Sequence, residues 1–214
     1  NETETFSLKD LRYTKPRDYF KSCIKTCQNE GLVFSSGFEC EVSSEIPIRA
    51  GASSSSAINV SWIHFLSKMA DNPIEWTQEK IGELTYQAES TEFNEPGGMM
   101  DQYTTAMGHI IHLESEPHIS IQSLNPELGS FVLGDSEQPK DTMGILKRLN
   151  DSRVEILNTL RAKNPTINIH TMNNDTNLSD LNKEQRKMYK GTVQNRNLLR
   201  KALVELKKIN QIIN

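Results

Sequence analysis

Apolar residues recur at helical spacing in some stretches of this chain and alternate with polar ones in others, and the two periods divide it into elements. Tyr19, Phe20, Cys23, Ile24 and Cys27 mark one face of a helix that Pro16 opens and Gly31 closes. Proline suits a first helical turn and glycine the position past the last. Over residues 37–48, Phe38, Cys40 and Val42 alternate with Glu39, Glu41 and Ser43, which predicts a half-buried strand. Residues 58–69 carry Trp62, Ile63, Phe65, Leu66 and Met69 and predict a mostly buried helix that Asp71-Asn72-Pro73 ends. Further helices are predicted over 75–90 and 99–107, with a Pro-Gly-Gly turn at 96–98 between them. Short strands over 110–113, 118–122 and 130–133 are separated by Glu-Pro and Asn-Pro turns. Helices over 141–163 and 183–213 follow, flanking a polar stretch at 164–178.

This pattern predicts two domains with a boundary near residue 130. Residues 1–129 form a mixed α+β domain, and residues 130–214 form a second that begins with the strand at 130–134. The first residue is not Met and the last lies in an unbroken helical pattern, so the start of the first domain and the end of the second are expected beyond the chain. At 214 residues with 36% hydrophobic and 24% charged, the composition is that of a globular protein rather than a disordered one. A net charge of -4 argues against nucleic acid as a partner, because such binding rests on Lys and Arg facing phosphates. No apolar run is long enough to span a membrane, and the polar, acidic amino terminus lacks the form of a signal peptide, which points to the cytoplasm. The three cysteines make no disulfide framework and are read as reduced thiols.

Two segments carry candidate chemistry. In Pro47-Ile48-Arg49-Ala50-Gly51-Ala52-Ser53-Ser54-Ser55-Ser56-Ala57, only small residues follow Arg49 before a buried helix. Such a loop lets backbone N–H groups approach a polyphosphate while the helix points its positive end at the same place. The plainer reading is that Ser54 or Ser55 caps the helix; four serines exceed that need. The second segment is Ala88-Glu89-Ser90-Thr91-Glu92-Phe93-Asn94-Glu95-Pro96-Gly97-Gly98-Met99-Met100-Asp101-Gln102. A carboxylate ending one helix and another just past a Gly-Gly turn can meet at one site, one holding Mg²⁺ and the other facing an attacking hydroxyl. Read alone, the segment is better taken as an ordinary Pro96-Gly97-Gly98 turn with Asp101 in the first turn of a helix, where an acid suits the dipole.

Together the segments resemble the GHMP kinase superfamily, and galactokinase-like sugar kinases most closely. The phosphate loop is similar to Pro-x-x-x-Gly-Leu-Ser-Ser-Ser-Ala, with Ala52 in place of Leu and one extra Ser before Ala57. Ala88, Glu89, Gly98, Met100, Asp101 and Gln102 meet the galactokinase pattern Ala-Glu-x-x-Phe-x-Gly-x-x-Cys-Gly-x-Met-Asp-Gln. Phe93 is shifted by one position, Asn94 replaces Gly and Gly97 replaces Cys. Asp135-Ser136-Glu137-Gln138 looks like the start of the family's second domain, although Lys147 stands where galactokinases place a Tyr.

The resemblance implies a GHMP kinase fold. Its first domain would be like the second domain of a small-subunit ribosomal protein (ribosomal-protein-S5-domain-2-like), followed by a partial ferredoxin-like second domain. It implies an ATP-dependent kinase acting on a sugar, at the anomeric 1-hydroxyl, with ATP and Mg²⁺ as cofactors. Gly51, Ala52, Ser53, Ser54, Ser55 and Ser56 would line the phosphates, and Ser55 and Glu89 would hold the metal. Asp101 would be the catalytic group at the sugar hydroxyl, with Gly98 beside it. A kinase of another small alcohol such as mevalonate, and a noncatalytic ATP and sugar sensor, are the alternatives.

Other candidates are set aside. His109 and His112 lie three apart on a predicted strand, facing opposite ways, and are read as structural. His64 is expected in the core or an interface. On the last helix Leu199, Ala202, Leu203, Leu206, Ile209 and Ile213 form one face, read as core-facing, with Arg200, Lys201, Lys207 and Lys208 off it.

Overall fold

A computed structural model describes residues 3–48, 50–126, 128–134 and 142–213. Arg49 and the Asp135-Ser136-Glu137-Gln138 segment lie outside them. The chain divides into two compact units, Asn1–Ser123 with Ser130–Lys140, and Leu124–Gly129 with Asp141–Asn214.

In the first unit the elements run α1 (Tyr19–Asn29), α2 (Ser54–Met69), α3 (Gln78–Tyr86), a π-helical turn (Gln87–Thr91), α4 (Met100–Met107), β1 (Ile110–Glu114) and β2 (Ser120–Leu124). β1 and β2 pair as a two-stranded sheet, so the described first unit is mixed α+β. The core is built where helix faces meet. Cys23, Ile24 and Cys27 come from α1, Ile63 and Leu66 from α2, Ile81 and Leu84 from α3, and all are within 1% of full burial. Each such Ile or Leu contributes about 1.5–3 kcal/mol relative to exposure. Beside them Trp62 stacks on Phe65 with centroids 5.2 Å apart, and Phe20 meets Trp62 edge-on at 5.2 Å. The Trp62 indole N–H donates to the Phe20 carbonyl at 3.3 Å, satisfying its polar end.

Several boundaries differ from those the periodicity predicts. α2 starts at Ser54, four residues before the apolar run, because three serines form its first turn. α3 starts at Gln78 because the Thr77 side chain accepts from the Lys80 N–H at 3.2 Å and caps it. The segment 37–48 forms no strand. Phe38 packs on Trp62 and Phe65 at 5.8 and 5.5 Å, while Val42 and Ile46 are exposed. Alternation supplies a face but not the neighbouring backbone that a strand needs, and among the described residues the only sheet is the β1–β2 pair. Residues 130–134 are likewise irregular, with Phe131, Val132 and Leu133 exposed. His64 is exposed on the polar face of α2 rather than in the core.

The amino terminus of α1 is held by a buried ion pair. The Asp18 Oδ2 carboxylate oxygen accepts from the Thr14 N–H at 3.0 Å and from Lys21 Nζ at 2.9 Å, and neither Asp18 nor Lys21 is more than 3% exposed. Burial works to raise the Asp18 pKa, but the Thr14 N–H and the Lys21 ammonium outweigh it and leave the carboxyl below its ordinary value. A group depressed in the folded state stabilises above its unfolded pKa, and that contribution is lost as pH falls through the folded pKa. Asp18→Asn is therefore expected to lose about 3 kcal/mol in urea melts at neutral pH. The gap from wild type should narrow once pH drops below about 4.

Cys23, Cys27 and Cys40 are free thiols. Burial raises the Cys23 thiol well above its ordinary value and pushes Cys27 up to about 12, so both are held as inert thiols of the core.

The second unit holds α5 (Thr142–Arg161) and α6 (Lys183–Ile213). Ile156 and Leu160 of α5 pack with Ile167, Met172 and Leu181 of the connecting loop and with Tyr189 and Val193 of α6. The core side of α6 therefore lies in its first half. Of the face expected to meet a core, Leu199 and Ala202 are exposed while Leu203 and Leu206 are half-buried, and among the described residues the buried core of this unit reaches along α6 as far as Val193. The side chains of Ile209 and Ile213 lie outside the description. The Arg196 guanidinium ties the loop to the helix by donating to the carbonyls of Ile169, His170 and Met172 at 2.5–3.1 Å. Among the described residues, no helix is long and apolar enough to cross a membrane.

Candidate active site

The site begins with a strained turn. Gly51 has φ +79°, a conformation open to glycine, and Ser53 follows in the left-handed region at φ 52°. Ser53 occupies the position before α2, and its side chain does not cap the helix. Ser54, Ser55 and Ser56 form the first turn, where backbone N–H groups have no partner within the helix. The plain capping reading of Ser54 or Ser55 is not what the structure shows: both stand one or two residues inside the helix.

Glu89 approaches this helix start from the π-helical turn. The wide turn is closed by the Glu92 N–H donating to the Gln87 carbonyl at 2.9 Å, and it carries Ala88, Glu89 and Ser90 all buried. π turns of this kind recur at functional sites because the extra residue re-aims the side chains around it. Glu89 is 7% exposed, and three side chains meet its carboxylate. Ser55 Oγ donates to Oε1 at 2.5 Å, Ser56 Oγ to Oε2 at 2.9 Å, and Gln102 Nε2 to Oε2 at 2.9 Å. A buried charge with three donors is satisfied rather than orphaned.

α4 delivers Gln102 through close packing. A Cβ on Gly82 of α3 would stand 3.1 Å from the Tyr103 Cα, so glycine is what lets α3 and α4 approach at this point. Gln102 is buried, and its Oε1 is without a hydrogen-bond partner. Asp101, one residue earlier, is exposed in the first turn of α4. Consecutive helical residues project about 100° apart, so Gln102 faces the interior and Asp101 the solvent. Gly98 lies in open space, with nothing within 4 Å of where its Cβ would be.

The structure thus joins Ser55, Ser56 and Glu89, brings Gln102 to the same carboxylate, and leaves Asp101 and Gly98 at the surface beside them. Gln102 belongs to the motif but was assigned no role from sequence; its place directly after Asp101 was the available signal. The donor set is of hard oxygens, a carboxylate and hydroxyls, with the unpartnered Gln102 Oε1 nearby. That set fits Mg²⁺, which is commonly held by one or two carboxylates together with substrate phosphates. Among the described residues there is no cluster of three or more His, Cys, Asp or Glu able to hold a metal, and a magnesium ion shared with phosphates needs none.

Residues 18–109 match the family described as GHMP kinases N terminal domain. Residues 18–109 are therefore similar to the N-terminal domain of the GHMP kinases, the superfamily that the two motifs resemble. The chain is 25% identical over 199 residues to a mevalonate kinase of Thermococcus onnurineus, covering 91% of this chain and 58% of that protein. It is 25% identical over 139 residues to a mevalonate kinase of Thermococcus gammatolerans, covering 65% of this chain and 41% of that protein. To a galactokinase of Clostridium beijerinckii it is 33% identical over 106 residues, covering 48% of this chain and 27% of that protein. The chain thus spans less than two thirds of the length of each of these relatives.

Proposed function

We propose that this protein is an ATP-dependent small-molecule kinase, transferring the terminal phosphate of ATP to a sugar hydroxyl, most readily the anomeric one. The observation that carries the reading is the buried Glu89 carboxylate gathering Ser55, Ser56 and Gln102 at the uncapped start of α2. In this reading the N–H groups and hydroxyls of residues 51–56 bind the phosphates. Ser55 and Glu89 would hold Mg²⁺, which supplies charge neutralisation at the transferring phosphoryl group. Asp101 orients the acceptor hydroxyl and takes its proton, and the Gly98 backbone lies beside the acceptor. The GHMP kinase fold with a ribosomal-protein-S5-domain-2-like first domain and a ferredoxin-like second belongs to the same proposal, with the boundary near residue 130.

Mevalonate is the second acceptor considered, supported by the relatives that bear the name mevalonate kinase. The Met100-Asp101-Gln102 run favours a sugar through its likeness to the galactokinase pattern. The test is phosphate transfer from labelled ATP, using the complete open reading frame, to galactose, heptoses, arabinose, fucose, uronic acids and mevalonate. Transfer to a sugar is expected. Transfer to mevalonate alone would reassign the acceptor, and failure to bind Mg·ATP would overturn the kinase reading.

A further inference from the structure

Residues 92–95 link the π turn to the Gly97-Gly98 turn, and the segment before and within α1 grips them at successive points. Tyr13 OH donates to Glu92 Oε1 at 2.6 Å, and Lys25 pairs with the same oxygen. The Phe93 ring lies between Tyr13 and Tyr19, with centroids 5.1 and 5.9 Å away. Arg17 closes the series with a two-pronged contact to Glu95, Nε to Oε1 at 2.6 Å and Nη2 to Oε2 at 2.7 Å.

This last contact is built at a conformational cost. Arg17 has φ 54° and Asn94, the residue before Glu95, has φ 51°. Left-handed conformations cost free energy in residues other than glycine and persist where the surroundings over-determine them. The Glu95 N–H also donates to the Ser90 carbonyl at 3.0 Å, tying the same residue back to the turn that carries Glu89. Yet the Arg17 and Glu95 side chains are 41% and 19% exposed, and ion pairs in contact with solvent add little to stability. A planar guanidinium holding both carboxylate oxygens does fix geometry. Six residues on from Glu95, α4 presents Asp101.

We infer that Arg17 is a positioning residue: its grip on Glu95 sets the path of residues 95–98 and so the placement of Asp101 relative to the Glu89 carboxylate. The inference deepens the kinase reading and rests on it for its catalytic consequence. Its structural half can be judged independently.

The test compares Arg17→Ala, Glu95→Gln and the reversed pair Arg17→Glu with Glu95→Arg, each in the full chain. Amide hydrogen exchange at Glu92, Asn94, Glu95 and Tyr103, whose N–H groups donate to the carbonyls of Gln87, Thr91, Ser90 and Met99, is expected to quicken about tenfold in both single variants, with α2 and α3 unchanged, because a local restraint is lost rather than global stability. Acceptor turnover, measured with galactose and with mevalonate, should fall on the order of 10- to 100-fold, since small misplacements of a reacting group are costly. Mg·ATP affinity should stay within about twofold, because the pair lies outside the phosphate loop. The reversed pair should recover both exchange protection and turnover. Unchanged exchange at Glu92, Asn94, Glu95 and Tyr103 in the single variants, or no recovery in the reversed pair, would overturn the inference. Wild-type protein that binds no Mg·ATP would sink the kinase reading while the exchange result still decides the clasp.

Discussion

Asp101→Asn is expected to cut phosphate transfer by ~10²- to 10⁴-fold while leaving Mg·ATP binding nearly unchanged. Asparagine keeps the size and the hydrogen-bonding reach of the side chain but cannot accept a proton at neutral pH. The expected split follows from placement: Gln102 turns inward to Glu89, and Asp101 is exposed to solvent one residue earlier, where an acceptor could reach it in the proposed reaction. If Asp101 serves only the α4 dipole, its replacement changes stability by well under about 1 kcal/mol and leaves turnover intact. Rapid-mixing assays of transfer, set beside calorimetric titration with Mg·ATP, separate the two. Retained turnover removes Asp101 from the chemistry.

A second large effect is expected at Glu89. Glu89→Ala removes the acceptor for Ser55, Ser56 and Gln102 together. Leaving such groups unpaired in a buried place is expected to cost about 3 kcal/mol, which in a chain of this size lowers the melting temperature by roughly 6–12 °C. Magnesium-dependent nucleotide binding should be lost as well. Glu89→Gln separates the two roles, because its amide oxygen can still accept from Ser56 and Gln102 while its amide N–H donates to the Ser55 hydroxyl, and the negative charge that a divalent cation needs is removed. That variant should melt closer to wild type and still lose the magnesium dependence. If Glu89→Ala melts and binds like wild type, the convergence on this carboxylate has no function.

The helical elements were legible because each has an apolar face that recurs every three or four residues and a residue that ends it. The end of α1 before Gly31, and α2 before Asp71-Asn72-Pro73, are cases where local chemistry and burial agree, whereas α1 starts at Tyr19 rather than at Pro16 because Arg17 between them is left-handed. The segment 37–48 shows the limit of such reading. Its alternation names the side that is apolar, but the partner strand that would make it a strand is a property of the surroundings. α6 shows the same limit, since helical spacing continues past Val193 while, among the described residues, the buried core does not and Leu203 and Leu206 are only half-buried. The serine-rich turn and the acid-bearing segment stood out because together they resemble two linked motifs of one family, although each has a plainer reading by itself.

Sequence alone determined which residue types are present for chemistry and where the helices run, because these depend on local composition and period, and its two motifs carried the resemblance to a superfamily. Only the tertiary structure decided that Ser55, Ser56 and Gln102 share the Glu89 carboxylate, and that Arg17 reaches Glu95 across 78 residues of chain. Such meetings depend on how helices cross, as at Gly82 and Tyr103, and on left-handed turns at Arg17, Ser53 and Asn94. Neither has a period in the sequence, because each is settled by the packing of residues far apart along the chain.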